Sequence, residues 1–229
     1  MEIQTVWRQV LDSLFPIHCL GECGAEGKWV CGNCRALLIA RPQFLCAGCG
    51  RASAGGMTHK KCAEATALDQ LVAAYSYAHP IIKNGIKEYK FHGAYELEDL
   101  LTGLAVSTTE KMRTLFPAGA AVVPVPLHPS RERERGFNQA EKIGRAVSVA
   151  LGAQLVTPLA RARRTDHQSQ LPTNERAQNC SSAFRSLPVS GDFILIDDVV
   201  TTGATMNEAA RALKLAGAHS VTGFALAYG

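Results

Sequence analysis

The run Phe193-Ile-Leu-Ile-Asp197-Asp198-Val-Val-Thr201-Thr202-Gly203-Ala204-Thr205 joins four apolar residues, two adjacent carboxylates and a Thr/Gly-rich loop without a break. The apolar stretch predicts a strand from Phe193 to Ile196 that is covered on both faces, as in a parallel sheet. The carboxylates then emerge at its carboxyl end, where open α/β sheets place ligands. Thr201 to Thr205 read as a tight turn into a helix of sequence MNEAARALKLAG. Such a turn aims backbone N–H groups and hydroxyls at a phosphate, and the helix N-terminus adds partial positive charge. Asp197 and Asp198 are placed to hold vicinal hydroxyls. A phosphate at one end and a diol at the other describe a ribose 5-phosphate.

Seven of the eight cysteines fall within residues 19–62, as Cys19-x3-Cys23, Cys31-x2-Cys34, Cys46-x2-Cys49 and, with a histidine, His59-x2-Cys62. Four pairs supply the nitrogen and sulfur ligands of two tetrahedral zinc sites. Sequential pairing leaves only short loops to close. It puts Cys19, Cys23, Cys31 and Cys34 in one site and Cys46, Cys49, His59 and Cys62 in the other. A cross-braced union of alternate pairs is the competing arrangement, and His18 stands beside the first pair as a substitute ligand. Glycine follows Cys23 and Cys49, where a turn folding N–H groups toward sulfur favours a residue tolerant of positive φ. Nothing else in the chain suggests secretion, so disulfides are not expected. Cys180 reads as an ordinary free thiol.

A further constellation follows a buried strand expected over residues 120–125: Pro126-Leu-His128-Pro-Ser-Arg131-Glu-Arg133-Glu-Arg135-Gly136-Phe137-Asn138-Gln139. At a strand end, Arg131 and Arg135 could fork onto diphosphate oxygens, whereas Arg133 reads as part of a solvated face. Residues 160–180 are polar and turn-rich. Arg164, Gln168 and Arg176 there are candidates for a lid that excludes water from the site.

The elements that must position these groups alternate. Strands are expected at 71–77, 154–156 and 219–228. Helices are expected at 80–91 (with Lys83, Lys87 and Lys90), 94–115 and 136–151, in addition to the one after Thr205. This order argues a parallel sheet with helices on both faces. Trp7, Val10, Leu11 and Leu14 predict a short amphipathic helix over 1–16, followed by a zinc module over 17–66 and an α/β domain over 67–229. The chain has 229 residues, 47% of them hydrophobic and 19% charged, as suits a globular chain with a substantial core. No apolar run reaches the roughly 18–20 residues of a membrane span, and the N-terminus lacks a basic signal-peptide region, so a cytoplasmic protein is expected. The formal charge of +4 would fall to about +1 with seven thiolates on two Zn²⁺, which argues against strong, purely electrostatic nucleic-acid binding. Local clusters are better candidates, chiefly Arg131/Arg133/Arg135 and Arg161/Arg163/Arg164; on the zinc module Lys28, Arg35, Arg41, Arg51, Lys60 and Lys61 are candidates for phosphates, with Trp29 or Phe44 stacking on bases.

The 193–205 string resembles the 5-phosphoribosyl-1-pyrophosphate (PRPP) loop of type I phosphoribosyltransferases at every position of its pattern. The cysteine pairs, Lys87-x2-Lys90-Phe91, Arg131, Arg135-Gly-Phe-Asn-Gln139, Gln168, Leu171, Arg176-x2-Asn179 and this loop together resemble the ComF family over nearly the whole chain. That resemblance implies an N-terminal double zinc ribbon followed by a type I phosphoribosyltransferase domain. It also implies PRPP with Mg²⁺ as ligand and a role in DNA uptake during natural competence, with single-stranded DNA or a helicase-like protein as partner. By the same resemblance, Asp197 and Asp198 would hold and stabilise the ribosyl group, with Thr201 to Thr205, Arg131 and Arg135 on the phosphates. Two function classes stay open. One is a transferase whose acceptor has no visible reading segment in the chain. The other is a PRPP or nucleotide sensor whose zinc module grips DNA or protein.

Overall fold

The computed structural model describes residues 16–161 and 183–229. The helix expected over 1–16 and the candidates Arg164, Gln168, Arg176 and Cys180 therefore lie outside the described residues, Pro16 aside. A five-stranded sheet of order β1-β2-β7-β6-β3 forms the centre. Its strands are β1 (Gln43–Leu45), β2 (Gln70–Ser76), β3 (Ala121–Pro124), β6 (Gly191–Val200) and β7 (Ala218–Tyr228). β2, β7, β6 and β3 run parallel, while β1 adds antiparallel to β2 with Leu45 opposite Leu71. The parallel strands are almost continuously apolar because both faces are covered.

Strand alternation sorts the core into two halves. Val72, Ala74, Ile194, Ile196, Phe224 and Leu226 face one half, with Ile82 and Ile86 of α2 (Pro80–Phe91), Leu101 and Ala105 of α3 (Glu98–Lys111), and Ile143 and Val147 of α5 (Gln139–Leu151). Leu71, Ala73, Phe193, Leu195, Val221 and Ala225 face the other, against Met206, Ala209, Ala210 and Leu213 of α6 (Ala204–Leu215). A two-stranded antiparallel ribbon, β4 (Leu159–Arg161) with β5 (Phe184–Ser186), packs on this second half through Leu159 and Phe184. Among the described residues, the remaining α-helices are α1 (Gly32–Leu37) in the cysteine-rich segment and α4 (Pro129–Arg135).

Several expectations are corrected by tertiary pairing. β6 runs on through both aspartates to Val200, because β7 continues to pair with it as far as Val200 opposite Tyr228. On the other side β3 stops at Pro124, opposite Ile196. The helix expected from 94 begins at Glu98 after a tight turn, and Gly103 does not interrupt it. The Arg/Glu stretch is helical, and Gly136 at φ 78 ends it, so the following helix starts at Gln139 with Asn138 as its cap. The strand expected over 154–156 shrinks to a single bridge between Val122 and Leu155. Part of the polar loop expected from 160 belongs to β4. Among the described residues, no helix is long and apolar enough to cross a membrane.

Candidate functional site

The cysteine-rich segment folds into two clusters. The ligand atoms of Cys19, Cys23, Cys31 and Cys34 lie within 4.8 Å of one another, as do those of Cys46, Cys49, His59 and Cys62. Pairing is sequential, and the cross-braced alternative is excluded. Cys23 and Cys31 sulfurs are 3.6 Å apart, and Cys49 Sγ lies 3.5 Å from His59 Nδ1. A tetrahedron with Zn–S bonds of about 2.3 Å has edges of about 3.8 Å, so both donor sets fit zinc. His18 is not a ligand; its ring faces Glu26 at 4.0 Å.

The local chain explains this geometry. Gly24 and Gly50 take φ 76 and 68, as the turns require. The extra spacer between Cys19 and Cys23 is absorbed by Glu22, the one described non-glycine residue with positive φ, at 59. A side chain at Gly21 would lie 2.5 Å from Cys34 Sγ, and one at Gly48 2.6 Å from Cys62 Cβ. Burial pushes the Cys19 and Cys46 thiols up, but N–H groups outweigh it and bring them to about 7 and about 6. Cys31 and Gly21 supply those N–H groups at Cys19, and His59, Cys49 and Gly48 supply them at Cys46. Contacts with neighbouring sulfurs hold Cys34 up at about 12, and burial holds Cys62 up at about 11. Such crowded thiols ionise together only around a cation.

The second constellation sits at the carboxyl edge of the sheet. Alternation sends Asp198 toward the side of α2 and Asp197 toward the side of α6 and the β4–β5 ribbon. Asp198 is buried and ion-paired with Lys90, from the last turn of α2. Asp197 Oδ1 accepts the Asp198 N–H at 2.8 Å. Burial, then the Asp198 charge, pushes the Asp197 carboxyl up to about 7, against the pull of Lys90. On its side stands Arg161, whose guanidinium lies 5.2 Å over the Phe184 ring. Burial and the Arg131 charge lower the Arg161 pKa, while Asp197 and Glu208 pull it back up.

Beyond Val200 the chain turns as expected. Thr201 and Thr202 are exposed, and Gly203 at φ 75 is the N-cap residue of α6. Thr202 Oγ1 accepts from the Ala204 N–H at 3.4 Å. Gly203 offers no capping side chain, so beyond the Ala204 N–H the first-turn N–H groups of this twelve-residue helix lack intrahelical partners. Asn207 Oδ1 accepts from Thr66 Oγ1 and the Ala67 N–H, which ties the end of the cysteine-rich segment to α6.

Arg131 and Arg135 stand one helical turn apart on α4, and Arg133 falls on a different face. Arg131 is exposed and Arg135 partly buried, with Nη1 donating to Gln139 Oε1 and the guanidinium 5.1 Å over the Phe91 ring. Trp29 and Phe44 are not free to stack on bases. The Trp29 indole N–H donates to Glu96 Oε2 at 3.0 Å, and both rings pack against the core. Among the described residues, the exposed aromatics are Phe91 and Tyr95, 65% and 60% accessible. Lys90 and Arg161 are not among the phosphate-site candidates of the sequence, where Arg161 belongs only to the basic Arg161/Arg163/Arg164 cluster. For Lys90 the available signal is the Lys87-x2-Lys90-Phe91 string.

These features define a class: an α/β protein with two zinc-type clusters and a site made of an acidic pair and a Thr/Gly loop at the edge of a parallel sheet. No family model matches the chain. It is 31% identical over 207 residues to competence protein ComFC of Bacillus subtilis (strain 168), covering 86% of this chain and 83% of the relative. Over the same share it is 31% identical to the DNA utilization protein YhgH of Escherichia coli (strain K12), spanning 89% of it. Competence protein F of Haemophilus influenzae is 28% identical over 222 residues, 92% of this chain and 95% of that protein. The chain belongs to the competence protein F (ComF) family. Among solved structures, a glutamine PRPP amidotransferase from B. subtilis complexed with ADP and GMP superimposes with a TM-score of 0.43 and 16% identity, over 61% of this chain and 30% of that one.

Proposed function

We propose that this cytoplasmic protein binds Mg²⁺-PRPP at the carboxyl edge of β3 and β6 and works in DNA uptake or use, with two structural zinc ions in residues 17–66. The observation that carries the reading is one junction: Asp197 and Asp198 lie beyond the end of β3 and directly ahead of the Gly203 turn onto α6. The early stop of β3 opens one side of β6, so a sugar seated there can reach carboxylates that leave opposite faces of the strand. The turn takes the 5-phosphate, with Arg131 on the diphosphate. Mg²⁺ carried by the diphosphate offsets its charge. The competence and DNA-utilization names of the relatives support the cellular role.

Calorimetry with PRPP and Mg²⁺ tests the site. Asp198→Asn should weaken binding roughly tenfold to a hundredfold, the range of a lost charge-assisted hydrogen bond. Unchanged affinity in an Asp197/Asp198 double mutant overturns it. The same complex, incubated with labelled PRPP, a panel of nucleobases and single-stranded DNA, separates the two classes. Acceptor-dependent diphosphate release marks a transferase, and binding without release marks a sensor.

Single-stranded DNA is the nucleic-acid partner that the exposed Phe91 and Tyr95 favour, with Arg135 over the Phe91 ring and Lys28, Arg35, Arg41, Arg51, Lys60 and Lys61 all exposed. Binding of oligo-dT should be weak, with log affinity falling linearly with log salt. Phe91→Ala with Tyr95→Ala should weaken it by about tenfold, the loss of a stacked base. No binding at low salt makes the partner a protein such as a helicase.

A further inference from the structure

We propose that Lys90 is a substrate-binding residue that grips the diphosphate on the anomeric carbon of the ribose, so that α2 completes the site formed by β6 and α6. This rests on the PRPP reading above. The Lys90 and Asp198 side chains are 16% and 11% exposed, so both charges are largely withdrawn from water. An ion pair so placed contributes little net stability, because desolvation offsets the attraction. Its position has a chemical use instead.

On a ribose whose 2- and 3-hydroxyls rest on Asp197 and Asp198, C1 is bonded to C2, next to the gripped diol. The 5-phosphate points away, to the turn at Gly203. A cation already touching Asp198 therefore lies beside the anomeric substituent and not beside the 5-phosphate. The ammonium has three donors, so one can stay on Asp198 while the others turn to diphosphate oxygens. Of the neighbouring cations, Arg131 stands on exposed α4 and shares the diphosphate, whereas Arg135 is engaged with Gln139 and the Phe91 ring, and Arg161 with Phe184 on the Asp197 side. Tyr89, one residue before Lys90, is packed against Phe137 at 4.7 Å and donates its hydroxyl to Glu98 at 2.8 Å. These contacts fix the last turn of α2, and with it the base of the Lys90 side chain.

The test compares PRPP with ribose 5-phosphate, which lacks the diphosphate. Calorimetry on the zinc-loaded full chain in Mg²⁺ would use wild type, Lys90→Met and Lys90→Arg, with melting curves to confirm folding. Lys90→Met should lose roughly tenfold to a hundredfold in PRPP affinity, with ribose 5-phosphate changed less than about threefold. Lys90→Arg should recover most of the PRPP affinity. Parallel loss for both ligands makes Lys90 a mere support for Asp198 and overturns the inference, as does unchanged PRPP affinity in Lys90→Met. Wild-type protein that binds neither ligand overturns the PRPP reading itself, and this inference with it.

Discussion

Removing zinc with a chelator is expected to unfold the edge of the central sheet as well as residues 19–62. β1 pairs with β2 and leads directly into Cys46, while Cys19, Leu20 and Cys34 belong to the core beneath α2 and α3. Asn84 of α2 donates to the Leu20 carbonyl at 3.1 Å. Structural zinc sites contribute about 10–16 kcal/mol each in isolated peptides, comparable with the entire stability of a domain. Even a fraction of that should lower the melting temperature by about ten degrees or more. Metal analysis of natively purified protein should give about two Zn per chain, and His59→Ala or Cys46→Ser about one. Full zinc content in both variants overturns the second site. Metal-free protein that melts at the same temperature overturns its structural role.

Asp197→Asn is expected to stabilise the protein near neutral pH while it damages the ligand site. The carboxyl is pushed from 3.8 to about 7 in the folded state. A raised carboxyl pKa favours the folded protein on the acid side, and this stabilisation is lost as pH rises through about 7. Wild type therefore carries a penalty above that pH which asparagine does not, and asparagine keeps the oxygen that accepts the Asp198 N–H. At 1.36 kcal/mol per unit, discounted for partial exposure, the gain is about 2–3 kcal/mol, or about 5–10 °C in melting temperature. The gap between mutant and wild type should widen from about pH 4 to about pH 7 and then level off. A gap that stays constant, or narrows with rising pH, contradicts the burial of this carboxylate. The effect has a familiar form, since sites that grip charged ligands often hold groups unfavourable to stability.

The two clusters that could hold zinc were readable from the sequence because short Cys-x2-Cys and Cys-x3-Cys turns are local. Spacing alone brings each pair together, and short loops choose sequential closure. The ends of α2 and the course of β7 were readable for the same reason, since apolar period and capping residues act within a few positions. The Thr201–Thr205 turn also obeys local chemistry, through the positive φ that glycine permits at position 203.

The rest depended on distant partners. Nothing in Gln43–Leu45 marks an edge strand; β2, some thirty residues on, makes it one. β6 passes through its two aspartates because β7 supplies partners there, against the poor strand preference of Asp. Trp29 and Phe44 looked free for base stacking until the fold covered them with Glu96 and the α2–α3 core. Lys90 is an ordinary helix-end lysine in the sequence, and only the packing of α2 on the sheet sets it against Asp198. Local spacing thus determined which residues could bind metal and phosphate. Tertiary structure decided which charges and rings face them, because long-range pairing and burial, not residue type, set each side chain's neighbours.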